Sequence, residues 1–303
     1  MMQEFSSQTN FHVDVVEKVY RLTELLKEIN EVDFISNKIV LKGGTAINFI
    51  YFDIPRLSVD IDLDYMGSVN QKEMVNDRKN FENILPRVFK KLGYAVESRG
   101  TYALLQYILS YDNSAGNNDR VKVEINFFNR APVFDPVEKT FINLLKFKEF
   151  NVPTLVIEDL FGRKLRALMT RATARDLYNV YKLLDSNIKV DKNTLRKCFI
   201  FYLCCHGDPR NIQLDILNNI TQLDVKTSLL PLLRKNDKVN IEDMKKLVRS
   251  LVEEFISFTK SENDFIIELF DHKTYNPDVL FQGIDYNEQV KEHPGIKWRI
   301  QNM

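Results

Sequence analysis

The sequence predicts an α+β protein in which strands and helices mix in the N-terminal half and helices dominate the C-terminal half. Three observations carry this. Apolar residues recur at helical spacing early in the chain, strictly alternating stretches occupy the region up to about residue 128, and from about Glu158 onward the helical period stands almost alone. The chain's 303 residues suffice for one large domain or two modest ones, and the change of pattern predicts domains at 1–155 and 156–303.

The elements follow in order. Val15, Val19, Leu22, Leu26 and Ile29 fall on one stripe of an amphipathic helix. "KIVLKGGTAINFIYF" (38–52) reads as a short strand, a Gly-Gly turn at Gly43 and Gly44, and a helix that Thr45 is expected to cap. Phe81, Leu85, Val88 and Leu92 form a second helical stripe. Two alternating stretches, Tyr94 to Tyr111 and Arg120 to Phe128, are expected strands joined by the polar loop "DNSAGNND".

Composition excludes several classes. Lys plus Arg and Asp plus Glu are 42 each, so no net field draws the molecule to nucleic acid or an anionic membrane, and any such attraction must be local. Apolar runs such as 102–109 fall well short of the roughly 20 residues of a spanning helix. The start "MMQEFSSQTNF" lacks a signal-peptide pattern, which leads us to expect a cytoplasmic protein without a membrane partner. The cysteines, Cys198, Cys204 and Cys205, share one apolar stretch and read as reduced, packed thiols rather than a disulfide framework. "CCHG" (204–207) has no partner spacing for a tetrahedral metal, and His293 and Trp298 are expected to fasten the tail.

"LSVDIDLDY" (57–65) is the most informative stretch. In an extended strand Leu57, Val59, Ile61 and Leu63 form one face while Ser58, Asp60, Asp62 and Asp64 form the other, so three carboxylates project together. Like charges aligned in this way call for a cation, and oxygen-only ligands suit Mg²⁺ or Mn²⁺. In "VKVEINFF" (121–128), Glu124 leaves the polar face of a second strand. If the two strands are neighbours, Asp60, Asp62 and Glu124 can converge on one or two ions. Upstream, Gly43 and Gly44 allow close approach of a phosphate-bearing ligand, and the following helix start presents free amides. Each piece has a plainer reading: a tight connection for the glycines, a solvated strand face for the acids.

A second constellation is basic. Arg163, Lys164, Arg166, Arg171 and Arg175 lie between residues 161 and 175 with no acid among them. On an unbroken helix Lys164, Arg171 and Arg175 would share a stripe able to hold a triphosphate or an RNA backbone. Thr173 and Asp176 compete with that reading, because T-x-x-D before the Leu177 stripe is a helix-start signature. Asp176 is then a capping carboxylate and Lys164 a solvated helix lysine.

"LKGGTAINFIYFDIPRLSVDIDLDY" (41–65) resembles the Gly-Gly, Asp-x-Asp signature of the polymerase-beta-like nucleotidyltransferases. Within that superfamily the chain resembles the AbiEii-type toxins of type IV toxin–antitoxin and abortive-infection systems, through "KGGTA", R-x-S-x-D-x-D-L and R-D-x-Y. The likeness runs through "DLFGRKLRALMTRATARDLYNVY" (159–181) and, more weakly, "DVLFQGIDYNEQVKEHPGIKWRI" (278–300). It implies a mixed or antiparallel sheet with flanking helices, then a helical domain that adds basic residues to the cleft. It implies transfer of a nucleotide from an NTP with release of pyrophosphate, Asp60 and Asp62 holding two Mg²⁺ ions with help from Glu124. Gly43, Gly44, Thr45 and Lys164 would bind the triphosphate, Arg56 and Ser58 would touch phosphate or orient Asp60, and Asp176 would support the site. The implied acceptor is tRNA, at its 3′ end, and the implied partner a cognate antitoxin. A small-molecule or protein nucleotidyltransferase and a cation-stabilised binding module are the rival readings.

Overall fold

A computed structural model describes residues 2–142 and 149–303. These fold into two compact units. The first comprises Met1–Arg130, Pro136–Leu155 and Pro231–Asp237; the second comprises Ala131–Asp135, Val156–Leu230 and Lys238–Met303.

The first unit carries helices α1 (Met2–Thr9), α2 (Val13–Asn30), α3 (Asp33–Ser36), α4 (Gly43–Ala46) and α5 (Gln71–Lys91). Its strands are β1 (Ile39–Lys42), β2 (Asp60–Tyr65), β3 (Ala95–Thr101), β4 (Leu104–Asp112), β5 (Asn118–Asn126), β6 (Val137–Thr140) and β7 (Asn151–Thr154). They form one seven-stranded sheet in the order β3-β4-β5-β2-β1-β7-β6. The sheet is mixed: β2 pairs parallel with β5 and β1 parallel with β7, while the other pairs are antiparallel.

Alternation decides which side of the sheet is dry. Ile61, Leu63, Tyr107, Val121, Val123 and Ile125 are all fully buried, as a period of two requires when one face packs on a core. From α5, Phe81 meets Tyr65 and Phe127 at ring distances of 6.0 and 6.2 Å, and Phe89 meets Tyr107 at 5.2 Å. The α5 stripe is Met74, Phe81, Leu85 and Phe89, so Phe89 takes the buried place expected of Val88. The segment Pro231–Asp237 returns to this unit, where Leu57 N donates to Leu232 O at 2.8 Å and Lys235 N to Asn10 O at 2.9 Å.

Two local expectations change. The stretch Tyr94 to Tyr111 is a hairpin of β3 and β4 in which Thr101 pairs with Leu104, since the alternation continues through the turn and hides it. Thr45 does not cap the helix after the glycines. That helix already begins at Gly43, with Lys42 before it, and continues as a π-helical turn over Ile47–Tyr51.

The second unit is helical, as its period indicates: α6 (Ile157–Arg171), α7 (Ala174–Leu184), α8 (Lys192–His206), α9 (Gln222–Asp224), α10 (Ile241–Ile256), α11 (Lys260–Phe270), α12 (Pro277–Leu280) and α13 (Pro294–Gln301). Its core gathers Cys198, Phe201, Cys204 and Cys205 of α8 with Phe265, Ile266 and Leu269 of α11 and Ile296 of α13. His293 is fully buried, its ring set edge-on to Phe201 and its Nδ1 accepting from Gly295 N at 3.1 Å, whereas Trp298 stays half exposed. The helix that carries Lys164 stops at Ala172, which takes left-handed φ 46° and ψ 62°, so Lys164 and Arg175 do not share one unbroken helix and the T-x-x-D reading holds. Thr173 then starts α7 by accepting from the Asp176 amide.

Candidate active site

Parallel pairing of β2 with β5 sets Asp60 opposite Lys122 and Asp62 opposite Glu124. On the other flank Lys42 of β1 pairs in register with Asp62. The polar row across the sheet is therefore Gln106, Glu124, Asp62, Lys42, on four adjacent strands.

The charges in this row are set by their neighbours. Burial pushes the Asp62 carboxyl up, Lys42 opposes the shift, and the carboxylates of Asp60 and Glu124 add to it. Glu124 goes the other way: burial works against its charge, but Lys122, a 2.6 Å hydrogen bond from the Gln106 amide and a hydrogen bond shared with Asp62 outweigh it. Its carboxyl lies below the usual carboxylate range. Lys122 reaches Glu124 at 3.2 Å and Asp60 at 4.0 Å, and these carboxylates with Asp62 hold it protonated against burial.

Asp64 departs from the expectation of three projecting acids. Its side chain is fully buried and lies 2.5 Å from Lys42 Nζ, so it shares that lysine with Asp62. Asp60 and Asp62 are half-buried and stay at the surface.

The glycine turn closes on these acids. Gly43 has φ +70°, and a Cβ there would lie 2.2 Å from Asp62 Oδ2; at Gly44 a Cβ would lie 2.8 Å from Arg56 Nη2 and 3.0 Å from Ser58 Oγ. Gly43 needs glycine for its backbone angle, whereas at Gly44 a side chain would have to displace the tips of Arg56 and Ser58. The Thr45 hydroxyl donates to the Asp60 carbonyl oxygen at 2.5 Å and lies 3.1 Å from Ser58 Oγ, which ties the turn to the start of β2. Arg56 is buried at 3% exposure, with Nη1 donating to Leu57 O at 2.8 Å, so it packs under the turn.

The donor set fits a hard divalent cation in chemistry: three carboxylates on one sheet face, oxygen-only, with Asp62 under repulsion from both neighbours. As the side chains stand, Lys42 and Lys122 supply the countercharge, and among the described residues no three His, Cys, Asp or Glu surround a single point.

In the second unit Lys164 and Asp176 come together. Lys164 Nζ lies 2.7 Å from Asp176 Oδ1 and Arg171 Nε 2.7 Å from Oδ2, and the Thr173 hydroxyl adds a 2.9 Å bond to Oδ2. Burial disfavours the Asp176 charge, but Lys164 and Arg171 override it and hold the carboxyl well below the usual range. Lys164 is buried at 8% exposure rather than solvated. Arg163 is not an exposed cation either. Its Nε meets Asp159 at 2.8 Å, its guanidinium stacks on Tyr202 at 4.5 Å, and Tyr202 itself donates to Asp159. The local positive field read from 161–175 is therefore reduced by Asp159, which pairs with Arg163, and by Asp176, which pairs with Lys164 and Arg171. Arg166 is half-buried, Arg175 half-exposed and Arg171 exposed.

A family model described as the nucleotidyl transferase AbiEii toxin of type IV toxin–antitoxin systems matches residues 24–268. The chain belongs to the AbiEii nucleotidyltransferase toxin family. Among solved structures it is similar to MenT4, a nucleotidyltransferase toxin from Mycobacterium tuberculosis H37Rv, at 17% identity and a TM-score of 0.68, over 90% of this chain and 95% of that one. At that identity the likeness speaks for the shared fold. No curated protein matches the chain. As an AbiEii toxin the protein is a nucleotidyltransferase with an α+β fold, and its family carries the expectation of an antitoxin partner. None of its helices is long and apolar enough to cross a membrane, among the described residues.

The Asp62–Glu124 pairing is the feature that reading the acidic stretch alone leaves conditional, because β5 lies some sixty residues further along the chain. Sequence reasoning places Lys122 on the polar face without a role at the site and does not single out Gln106. The signal for both is their alternation with Tyr107 and Val123, which are buried on the other face of the expected strands.

Proposed function

We propose that this AbiEii toxin is a metal-dependent enzyme that moves a nucleoside monophosphate from an NTP to the 3′ end of tRNA and so arrests translation. The observation that carries the reading is the row in which Asp62 stands between Glu124 and the Gly43 turn. Asp60, Asp62 and Glu124 are the residues to hold Mg²⁺ or Mn²⁺. A cation there would acidify the attacking hydroxyl and offset charge on the triphosphate.

The chain's own groups do the rest. Gly43 and Gly44 let the backbone approach the phosphates closely, and Thr45 with Ser58 fixes that turn against β2. Arg56 supports the turn from beneath. Gln106 and Lys122 keep Glu124 ionised, the form in which it would serve as a ligand to the cation. In the helical unit, family resemblance assigns Lys164 to nucleotide phosphates and Asp176 to its support; the 2.7 Å ion pair suits a lysine held in place by a fixed carboxylate. Such a reaction belongs in the cytoplasm, where tRNA, NTP and an antitoxin are present together.

The test is incubation with Mg²⁺, each α-³²P-labelled NTP in turn and total tRNA, beside the Asp60→Ala/Asp62→Ala variant. Label in tRNA only with intact acids supports the reading and identifies the nucleotide. Label in protein or in an added aminoglycoside keeps the site and moves the acceptor. A folded, metal-loaded preparation that transfers nothing overturns it.

A further inference from the structure

Two cations of α6 meet different surroundings. Lys164 and Arg166 stand two positions apart, about 200° around the helix, so they leave it on opposite sides. Lys164 turns to Asp176 of α7, whereas Arg166 turns to the end of α8 and the short 3-10 turns Pro209–Asn211 and Leu214–Asn219 that follow it. There Arg166 lines an open groove of about 340 Å³ whose walls include Met169, Leu203, Pro209, Ile212 and Ile216.

The acids near Arg166 are engaged elsewhere. Asp159 is bound by Arg163 and by the Tyr202 hydroxyl, and Asp176 by Lys164, Arg171 and Thr173. Asp208, the acid in the groove wall, is held by Arg210, at 2.6 Å from Nη2 and 2.9 Å from Nε. Cys205 lies close, but its thiol, pushed up to about 12 by burial, carries no charge at neutral pH. Arg166 is thus a half-buried cation without an ion pair among the described residues, and its Nε is buried with no hydrogen-bond partner among them. Burial works against its charge, and Arg171 and Arg163 add to that. A guanidinium stays protonated all the same, so the charge is kept at a cost.

Chemistry decides which anion fits. With Nε closed off, the guanidinium offers its Nη groups, whose N–H bonds match the two oxygens of one carboxylate. A phosphate, with up to two charges and three acceptor oxygens, would be left partly unmatched by one cation among apolar walls. A nucleic-acid backbone calls for several cations, and the described lining holds a single arginine and no lysine. The volume lies at the lower end of the range of small-molecule sites, about 300–1,000 Å³, which are apolar cavities with a few placed polar groups.

We infer that this groove is a second ligand site, which takes a small organic monocarboxylate with an apolar body, its carboxylate on the Arg166 Nη groups and its body against Leu203, Ile212 and Ile216. Every lining residue lies in the second unit, and none takes part in the proposed transfer, so the site stands independently of that reaction.

The experiment titrates the full chain with 4-phenylbutyrate, its uncharged amide and inorganic phosphate by ligand-observed ¹H and ³¹P NMR, for wild type, Arg166→Met and Asp60→Ala/Asp62→Ala, and melts each protein without ligand. Phenylbutyrate is expected to bind wild type and the Asp60→Ala/Asp62→Ala variant alike, with a Kd on the order of 1 mM. The amide and phosphate should bind wild type about 10- to 100-fold more weakly, and Arg166→Met should lose affinity for the acid by the same factor. Arg166→Met keeps the apolar stem and removes the unpaired charge, so it should melt at or above wild type, which an arginine of merely structural role does not allow. No saturable binding of the acid overturns the inference, and so do equal binding of acid and amide or acid binding unchanged in Arg166→Met. Phosphate that binds through Arg166 as tightly as the acid makes the ligand class wrong. Loss of phenylbutyrate binding in Asp60→Ala/Asp62→Ala would move the ligand to the acids of the sheet, and Arg166→Met melting well below wild type would make the arginine structural; either result also overturns it.

Discussion

Asp62 and Glu124 are direct register partners on two parallel strands, and the Glu124 carboxylate helps to push the Asp62 carboxyl up. Asp60 stands one row away on the same face, so three acids occupy a patch on which Lys42 and Lys122 act as counterions. Replacing Asp62 with Asn removes one like charge at constant volume. The Asp62→Asn protein is expected to fold with a melting temperature equal to or above that of metal-free wild type, and to be inactive. Mg²⁺ should then raise the wild-type melting temperature, in proportion to the logarithm of its concentration above Kd, and leave Asp62→Asn nearly unmoved. Calorimetry with and without EDTA checks both. A variant that melts well below wild type in EDTA would show that the acid is structural.

Gly43 should tolerate no side chain. Left-handed backbone costs an alanine about 1–2 kcal/mol, and its Cβ would stand 2.2 Å from Asp62 Oδ2. Gly44→Ala meets only Arg56 and Ser58 side-chain tips, at 2.8 and 3.0 Å, which can shift. Gly43→Ala is expected to lose both stability and transfer activity, and Gly44→Ala to keep more of each. Urea unfolding together with the labelled transfer assay ranks them.

These two relationships mark what a strand pattern reveals and what it conceals. Period-two alternation is local, so residues 57–65 and 121–128 suffice to assign Asp60, Asp62 and Glu124 to polar faces. Which strands are neighbours is not local, and the parallel pairing of β2 with β5 appears only once β3 and β4 have turned back between them. Burial of Asp64 depends on Lys42, which the antiparallel β1 brings alongside. The β3–β4 turn is silent because Tyr102 and Ala103 are not turn formers and the apolar alternation runs through them. In the helical half T-x-x-D at 173–176 announces the start of α7 correctly. The basic window misleads because Asp159, one helical turn before Arg163, lies just outside it.

The three cysteines should be inert in the native protein. Cys198, Cys204 and Cys205 are all buried, and burial raises each thiol, that of Cys205 to about 12, which removes the reactive thiolate at neutral pH. Ellman's reagent is expected to titrate none of them within minutes in buffer and all three in guanidinium. Rapid native labelling would mean that the α8 core opens far more readily than its packing indicates.

Asp176 predicts how the helical unit responds to acid. Its folded-state carboxyl is held well below the ordinary value of about 3.9 by Lys164 and Arg171, against burial. A depressed folded value gives stability that is fully present above the unfolded pKa and is lost as pH falls below it. Wild type should therefore lose stability below about pH 4 more steeply than Asp176→Asn, which has no such proton to take up. At neutral pH the order reverses in cost: Asp176→Ala strands Lys164 at 8% exposure without its carboxylate and should cost about 3 kcal/mol or more. Lys164→Ala should cost less, because Arg171 and Thr173 still hold the acid. Denaturant melts at pH 7 and at steps down to pH 3 separate the two variants. Equal losses for both at pH 7 would mean that Arg171, exposed as it is, contributes nothing to holding Asp176.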